Sequence, residues 1–171
     1  MPKEKKTIVK RNFIGKKFEA IHRSRELAVQ FLYSVDIYPE HEENFNEALE
    51  VFLNLDDVSK NDKPEVKERC KDLASQVKKR KNEIDSLLLR VVTGWRPERM
   101  VSVDRTILRL MVLEGFLNKT LPVKSAISEA IKLANSFGTK DSARFVNGVL
   151  CKIEKFFDDS SKEVIVEQTN K

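Results

Sequence analysis

Val101-Ser102-Val103-Asp104-Arg105-Thr106-Ile107-Leu108-Arg109-Leu110-Met111-Val112-Leu113-Glu114-Gly115-Phe116 is the stretch on which the fold turns. On a helical wheel, Val103, Ile107, Leu108, Leu110, Met111, Val112, Leu113 and Phe116 leave little polar circumference. A helix apolar nearly all round belongs in the middle of a bundle. Ser102 is placed to cap its start, and Asp104 in the first turn complements the positive end of the helix dipole.

Toward the C-terminus, Pro122 opens a further helix bearing Ala126, Ile127, Ala130, Ile131 and Ala134, whose small side chains permit close packing. Gly138 is placed to take the left-handed conformation that closes it. A last helix begins near Thr139-Lys140-Asp141, where Thr139 or Asp141 can accept the free amide hydrogens of the first turn. Its core stripe is Val146, Val149, Leu150, Ile153 and Phe157. Gly148 lies inside that stripe at a cost of roughly 1 kcal/mol relative to Ala, which points to close approach by another helix.

Toward the N-terminus, Pro64 suits a first helical position. Val66, Cys70, Leu73, Ala74 and Val77 start a stripe that Ile84, Leu87, Leu88, Val91 and Val92 continue, until Gly94 stops it. Phe45, Ala48, Leu49, Phe52 and Leu53 mark a shorter helix. The polar stretch 56–63 reads as a flexible loop. Ile21, Ala28, Phe31, Leu32 and Val35 define a first helix over 18–36, which Pro39 ends. The expected organisation is a basic flexible arm over 1–17, a helical domain over 18–157 and a polar tail over 158–171.

Composition agrees with an all-α fold: 35% of the 171 residues are charged, and Gly and Pro contribute five each. The net charge is +5, but residues 1–25 carry nine Lys or Arg against Glu4 and Glu19, so that segment is +7 and the remainder −2. Such an asymmetry is either an arm that neutralises phosphates or a solvated tail. No apolar run reaches the ~18 residues needed to span a bilayer, and the basic start lacks the apolar stretch of a signal peptide, so no membrane is involved and a cytoplasmic location is expected. Cys70 and Cys151 read as two buried, reduced thiols.

Four blocks carry a resemblance that periodicity does not supply. They are Arg23-Ser24-Arg25-Glu26-Leu27-Ala28-Val29-Gln30-Phe31-Leu32-Tyr33-Ser34, Val103-Asp104-Arg105-Thr106-Ile107-Leu108-Arg109-Leu110, Leu121-Pro122-Val123-Lys124-Ser125-Ala126-Ile127-Ser128-Glu129-Ala130, and Ser136-Phe137-Gly138-Thr139-Lys140-Asp141-Ser142-Ala143-Arg144-Phe145-Val146-Asn147-Gly148-Val149-Leu150. In order and spacing they resemble the NusB transcription antitermination family. The resemblance implies an all-α fold of two packed three-helix bundles that binds boxA RNA of ribosomal leader transcripts together with NusE, a small-subunit ribosomal protein. It further implies that the pair joins the RNA polymerase elongation complex with other Nus factors. A homodimer is also compatible with the family.

Carried onto this chain, the resemblance implies RNA contacts at Arg23 and Arg25, and Lys16, Lys17, His22, Gln30, Lys124 and Arg144 are further candidate RNA contacts. It implies a NusE interface at Tyr33, Asp104, Asp141 and Phe145. The chain departs from the family at Ile21 and His22, where arginines are common, and at Ser128, where Asn is common. The charge of Lys10, Arg11, Lys16 and Lys17 compensates in this reading.

Each position also has a plainer reading. Arg23 and Arg25 are surface cations or phosphate contacts, and Gln30 is an exposed polar residue or a reader of a base edge. Tyr33 and Phe145 serve either the core or an interface, and Phe145 could equally stack on a base. Asp141 is an N-cap or a contact for a basic partner, two roles that can coexist. Trp95 packs a corner beside Gly94. The Lys78-Lys79-Arg80-Lys81 run reads as a solvated helix surface.

Enzyme chemistry finds little support. His22 and His41 do not form a metal-ligand pair, and the glycines make no phosphate-cradling loop, so no catalytic residue, cofactor or metal is expected. Two other functions remain open: an RNA-binding module related to the NusB-like domains of ribosomal RNA cytosine methyltransferases, with no further domain expected after Lys171, and a helical scaffold that binds protein alone.

Overall fold

The computed structural model describes the backbone of residues 2–94 and 96–169 and the side chains of 15–58, 60–94 and 96–159. Trp95 and all of the basic side chains before Gly15 therefore lie outside the described residues. The chain divides into two compact units, Met1–Ser75 and Gln76–Lys171. Among the described residues each is built from helices without strands, as the sequence predicts.

The first unit contains α1 (Pro2–Ile37), α2 (Pro39–Glu43), α3 (Phe45–Leu53), α4 (Asp56–Ser59) and the first part of α5 (Pro64–Val91). Pro39 ends α1 because it lacks an amide hydrogen and pushes Tyr38 to an extended conformation, φ −114° and ψ 107°. The apolar stripe of α1, Leu27, Ala28, Phe31, Leu32 and Val35, is buried, as are Phe45, Leu49 and Leu53 of α3. The Phe31 and Phe45 rings meet nearly edge to face at 5.1 Å, the arrangement their quadrupoles favour.

Two boundaries differ from the sequence reading. Helix α1 begins at Pro2 rather than near residue 18, because Lys, Glu and Arg are good helix formers and need no apolar period to continue a helix. The stretch 56–63 is not a loop throughout: Asp56–Ser59 is a helical turn, which a Lys60–Asp56 pair at 2.7 Å reinforces.

The second unit holds the rest of α5, a 3₁₀ turn (Pro97–Arg99), α6 (Ser102–Val112), which runs into a π-helical turn (Leu113–Leu117), α7 (Val123–Phe137) and α8 (Ser142–Thr169). Helices α6, α7 and α8 pack on one another. Every residue from Val103 to Val112 is buried, and so are Leu113, Glu114, Gly115 and Phe116. The central position expected for this segment is thus observed within its unit. Ser102 does not cap it, since Val101 is the capping residue and no side chain bonds there. Instead Ser102 Oγ accepts a hydrogen bond from Arg105 Nη2 at 3.1 Å.

Two glycines act differently from their sequence reading. Gly148 is exposed with nothing within 4 Å of a Cβ placed there, so it marks no helix contact; the close approach is at Gly115, where a Cβ would meet that of Ala126 at 2.7 Å. Gly138 is extended, with φ −92° and ψ −170°, and is required because a side chain would collide with Ser142 and the Ala134 carbonyl. The left-handed glycine is Gly94, with φ +74° just beyond α5.

Both cysteines are free thiols, but Cys151 is exposed while Cys70 is buried, which corrects the expectation of two buried ones. Cys151 follows Leu150 on α8 and falls off the apolar stripe by about 100° of helical turn. Among the described residues no helix is long and apolar enough to cross a membrane.

Gly115→Ala should lower unfolding free energy by about 1–3 kcal/mol through overpacking against Ala126. Gly148→Ala should raise it by up to ~1 kcal/mol, since an exposed helical site gains propensity without a clash. Urea denaturation of the two variants checks the pair of signs.

Candidate functional site

On α1 the cationic candidates divide by environment. Lys16 and Lys17 are exposed, and His22 is half-buried with Nε2 3.6 Å from Glu26. Arg25 is only 4% exposed, because it sits one position after Ser24 on the side of α1 that faces the core. Of the two arginines, Arg23 is the one that reaches solvent. Gln30 is half-buried, and Tyr33 is 43% exposed, which favours an interface over the core for that ring.

Arg23 is not a loose surface cation. Its Nε donates to Asp62 Oδ1 at 2.9 Å and its Nη2 to Asp62 Oδ2 at 2.9 Å, a two-pronged pairing, while Nη1 donates to Glu26 Oε2 at 3.1 Å. The hydrogen bond to Asp62, opposed in part by burial, holds the guanidinium in its charged form even more firmly than usual. A guanidinium has five N–H groups, so part of its donor capacity remains for a phosphate. The same pairing fixes residue 62 against α1. Beneath it, burial pushes the Cys70 thiol up to about 12, against a downward pull from Arg23, so this thiol stays protonated and inert.

In the second unit Asp104 and Phe145 come together. They line a cavity of about 550 Å³ with Arg96, Arg99, Met100 and Val101, and Phe145 is 37% exposed at it. Asp104 is 5% exposed, and its Oδ1 has no hydrogen-bond partner among the described residues. Burial pushes its carboxyl above the usual carboxylate range, and a hydrogen bond from Ser142 opposes that shift. A buried acceptor left open beside an exposed aromatic ring suits a partner that brings a donor and an apolar group.

Asp141 and Arg144 are exposed and paired at 3.1 Å, and Lys124 is exposed on α7; none of the three lines that cavity. The amide of Asp141 donates to Thr139 Oγ1 at 3.4 Å, so at the entry to α8 it is Thr139 whose side chain accepts an amide hydrogen. Asp141 uses its carboxylate on Arg144 instead.

Sequence reading missed Arg96 and Arg99 in the cavity and Asp62 as the partner of Arg23. The signal for the first two was present: two arginines between the helix stop at Gly94 and the buried α6. Asp62 lies 39 positions from Arg23, beyond the reach of any local pattern.

The sequence profile of the NusB family matches residues 22–155. The transcription antitermination protein NusB of Desulforudis audaxviator (strain MP104C) is 37% identical over 133 residues, which cover 77% of this chain and 90% of that protein. The structure of T. maritima NusB is similar with a TM-score of 0.63 and 30% identity, covering 78% of this chain and 89% of its own. A structure of the antitermination factors NusB and NusE in complex with dsRNA aligns with a TM-score of 0.68 over 80% of this chain and 97% of the other, at 24% identity, a likeness of fold.

A double-mutant cycle of Arg23→Ala and Asp62→Ala should give a coupling of about 1 kcal/mol, below the range for buried charged pairs because the Arg23 side chain is 35% exposed. Chemical denaturation measures it. A coupling within ~0.3 kcal/mol of zero would mean that the pairing does not hold residue 62.

Proposed function

The chain belongs to the NusB family, and from that premise we propose that it is an RNA-binding transcription antitermination adaptor, not an enzyme, which binds boxA RNA of ribosomal leader transcripts together with NusE. The observation that carries this reading is the family match across residues 22–155, which takes in the C-terminal part of α1 and the whole of α6 and α7. It works in the cytoplasm, where the adaptor and its ribosomal partner join the elongating RNA polymerase with other Nus factors.

RNA is held on α1 by Lys16, Lys17, His22 and the free donors of Arg23, with Gln30 available to a base edge. Phosphate pairing by these cations supplies affinity, while unstacked bases supply the sequence information. Arg25, being buried, serves RNA by supporting the helix that carries the others. Lys124 and Arg144 are exposed cations of the second unit and add electrostatic attraction to the same polyanion.

NusE docks on Asp104 and Phe145 in the second unit, with Asp141 on the same helix-entry segment as Phe145 and with Tyr33 as a contact of the first unit. The open Oδ1 of Asp104 accepts a hydrogen bond from the partner, and the exposed face of Phe145 gives the apolar anchor. A NusB that shares this fold has been captured with NusE and dsRNA.

Electrophoretic mobility of a boxA RNA with the chain, with and without NusE, tests the reading. A sequence-dependent shift that NusE strengthens is expected. Asp104→Ala should weaken that strengthening by at least about tenfold and leave binding of the chain alone unchanged. Absence of RNA binding at low salt, or a shift indifferent to NusE, overturns the reading.

A further inference from the structure

Another cavity, in the first unit, lies between α1 and the first two turns of α5. It measures about 390 Å³, and its lining includes Lys16, Lys17, Ile21, Lys63, Val66 and Arg69. Four of those side chains are cationic, and Glu65 is the one carboxylate on the lining. Ile21 and Val66 give it an apolar floor, Val66 being buried and Lys63 exposed. The α1 side is the edge assigned to RNA above. The α5 side is new: neither Lys63 nor Arg69 belongs to the arginine-rich start of α1, and Lys63 falls in a stretch that the sequence reads as a loop.

The placement of Lys63 follows from the pairing beside it. Arg23 grips Asp62 with both prongs, so the next residue leaves α1 at a fixed point and enters α5 at Pro64. The start of a long helix also carries partial positive charge, which adds to the lysines. Cations on opposite walls above an apolar floor match a nucleotide unit, with phosphate at the rim and a base over the floor. The volume is near the lower end of the ~300–1,000 Å³ range of small-ligand clefts, which suits one nucleotide. Glu65 is an acceptor fitted to an exocyclic amino group of such a base.

We propose that this groove is a one-nucleotide subsite for single-stranded RNA, in which Lys63 and Arg69 of α5 hold the strand from the side opposite Lys16 and Lys17. The RNA track of the chain then has two walls on the first unit instead of one helix edge. The assignment rests on the RNA-binding reading above.

The test is fluorescence anisotropy of a labelled single-stranded boxA RNA with the full chain over a salt series, comparing Lys63→Glu with Lys79→Glu. Both variants change the net charge equally, but Lys79 is an exposed residue of α5 that does not line the groove. Lys63→Glu should weaken binding about tenfold at ~0.1 M salt and flatten the salt slope by ~0.7, while Lys79→Glu stays within about twofold of the parent. Lys63→Ala should flatten the slope similarly with a smaller loss, and the melting temperature of each variant should match the parent. If Lys63→Glu and Lys79→Glu behave alike while the parent binds, the subsite is overturned and the RNA-binding reading stands. If the parent itself ignores the RNA at low salt, both fall.

Discussion

Burying α6 on every side removes water from four polar side chains as well as from six apolar ones. A charge taken out of water without a partner costs several kcal/mol, so each of the four needs an internal bond or a reason to lack one. Arg109 Nε and Nη2 donate to Asp85 at 2.9 and 2.7 Å. Arg105 donates to the carbonyls of Pro97 and Met100 and thereby pins the 3₁₀ turn, and Thr106 Oγ1 donates to the Ser102 carbonyl at 2.8 Å. Asp104 is satisfied at one end through Ser142 and open at the other. The helix that organises the core of its unit therefore also carries the one buried carboxyl that lines the cavity beside Phe145.

The first unit uses its charges in the opposite sense. Arg23 is spent largely on the fold, as its two bonds to Asp62 tie the segment between α4 and α5 to α1 and a third holds Glu26 of α1 itself. That leaves the lysines, whose long flexible stems suit them to phosphates as mobile point charges, along the solvent side. An arginine that resembles a nucleic-acid contact in sequence is here partly a structural clamp. The surface it steadies is where the remaining cations gather.

Much of the architecture was legible because it rests on periodicity. The stripes of α3, α5, α6 and α8 appear in the sequence as three- and four-residue steps, and Pro39, Pro64 and Gly94 punctuate them where the helices end or begin. The misses have physical causes. Helices of four or five residues, such as α2 and α4, are too short to show a period, and the sequence of the charged start of α1 has no apolar period to reveal it. Gly115 and Gly148 look alike in a sequence, since neighbouring helices decide which of them is crowded. Arg25 follows the basic pattern of its segment yet turns inward, because a wheel position outranks composition. The cavity of Asp104 was half visible: the acid and Phe145 stood in family blocks, whereas Arg96 and Arg99 are brought there by the turn between α5 and α6.

The proposed docking depends on Asp104, a buried carboxyl whose Oδ1 has no hydrogen-bond partner among the described residues. Carbon-detected NMR titration of that carboxyl, in the free chain and in the complex with NusE, examines it directly. In the free chain the group should titrate above the ordinary carboxylate value, and the complex should draw it downward as a donor fills Oδ1. An ordinary value in the free chain, or a titration that the partner leaves unmoved, would contradict the account.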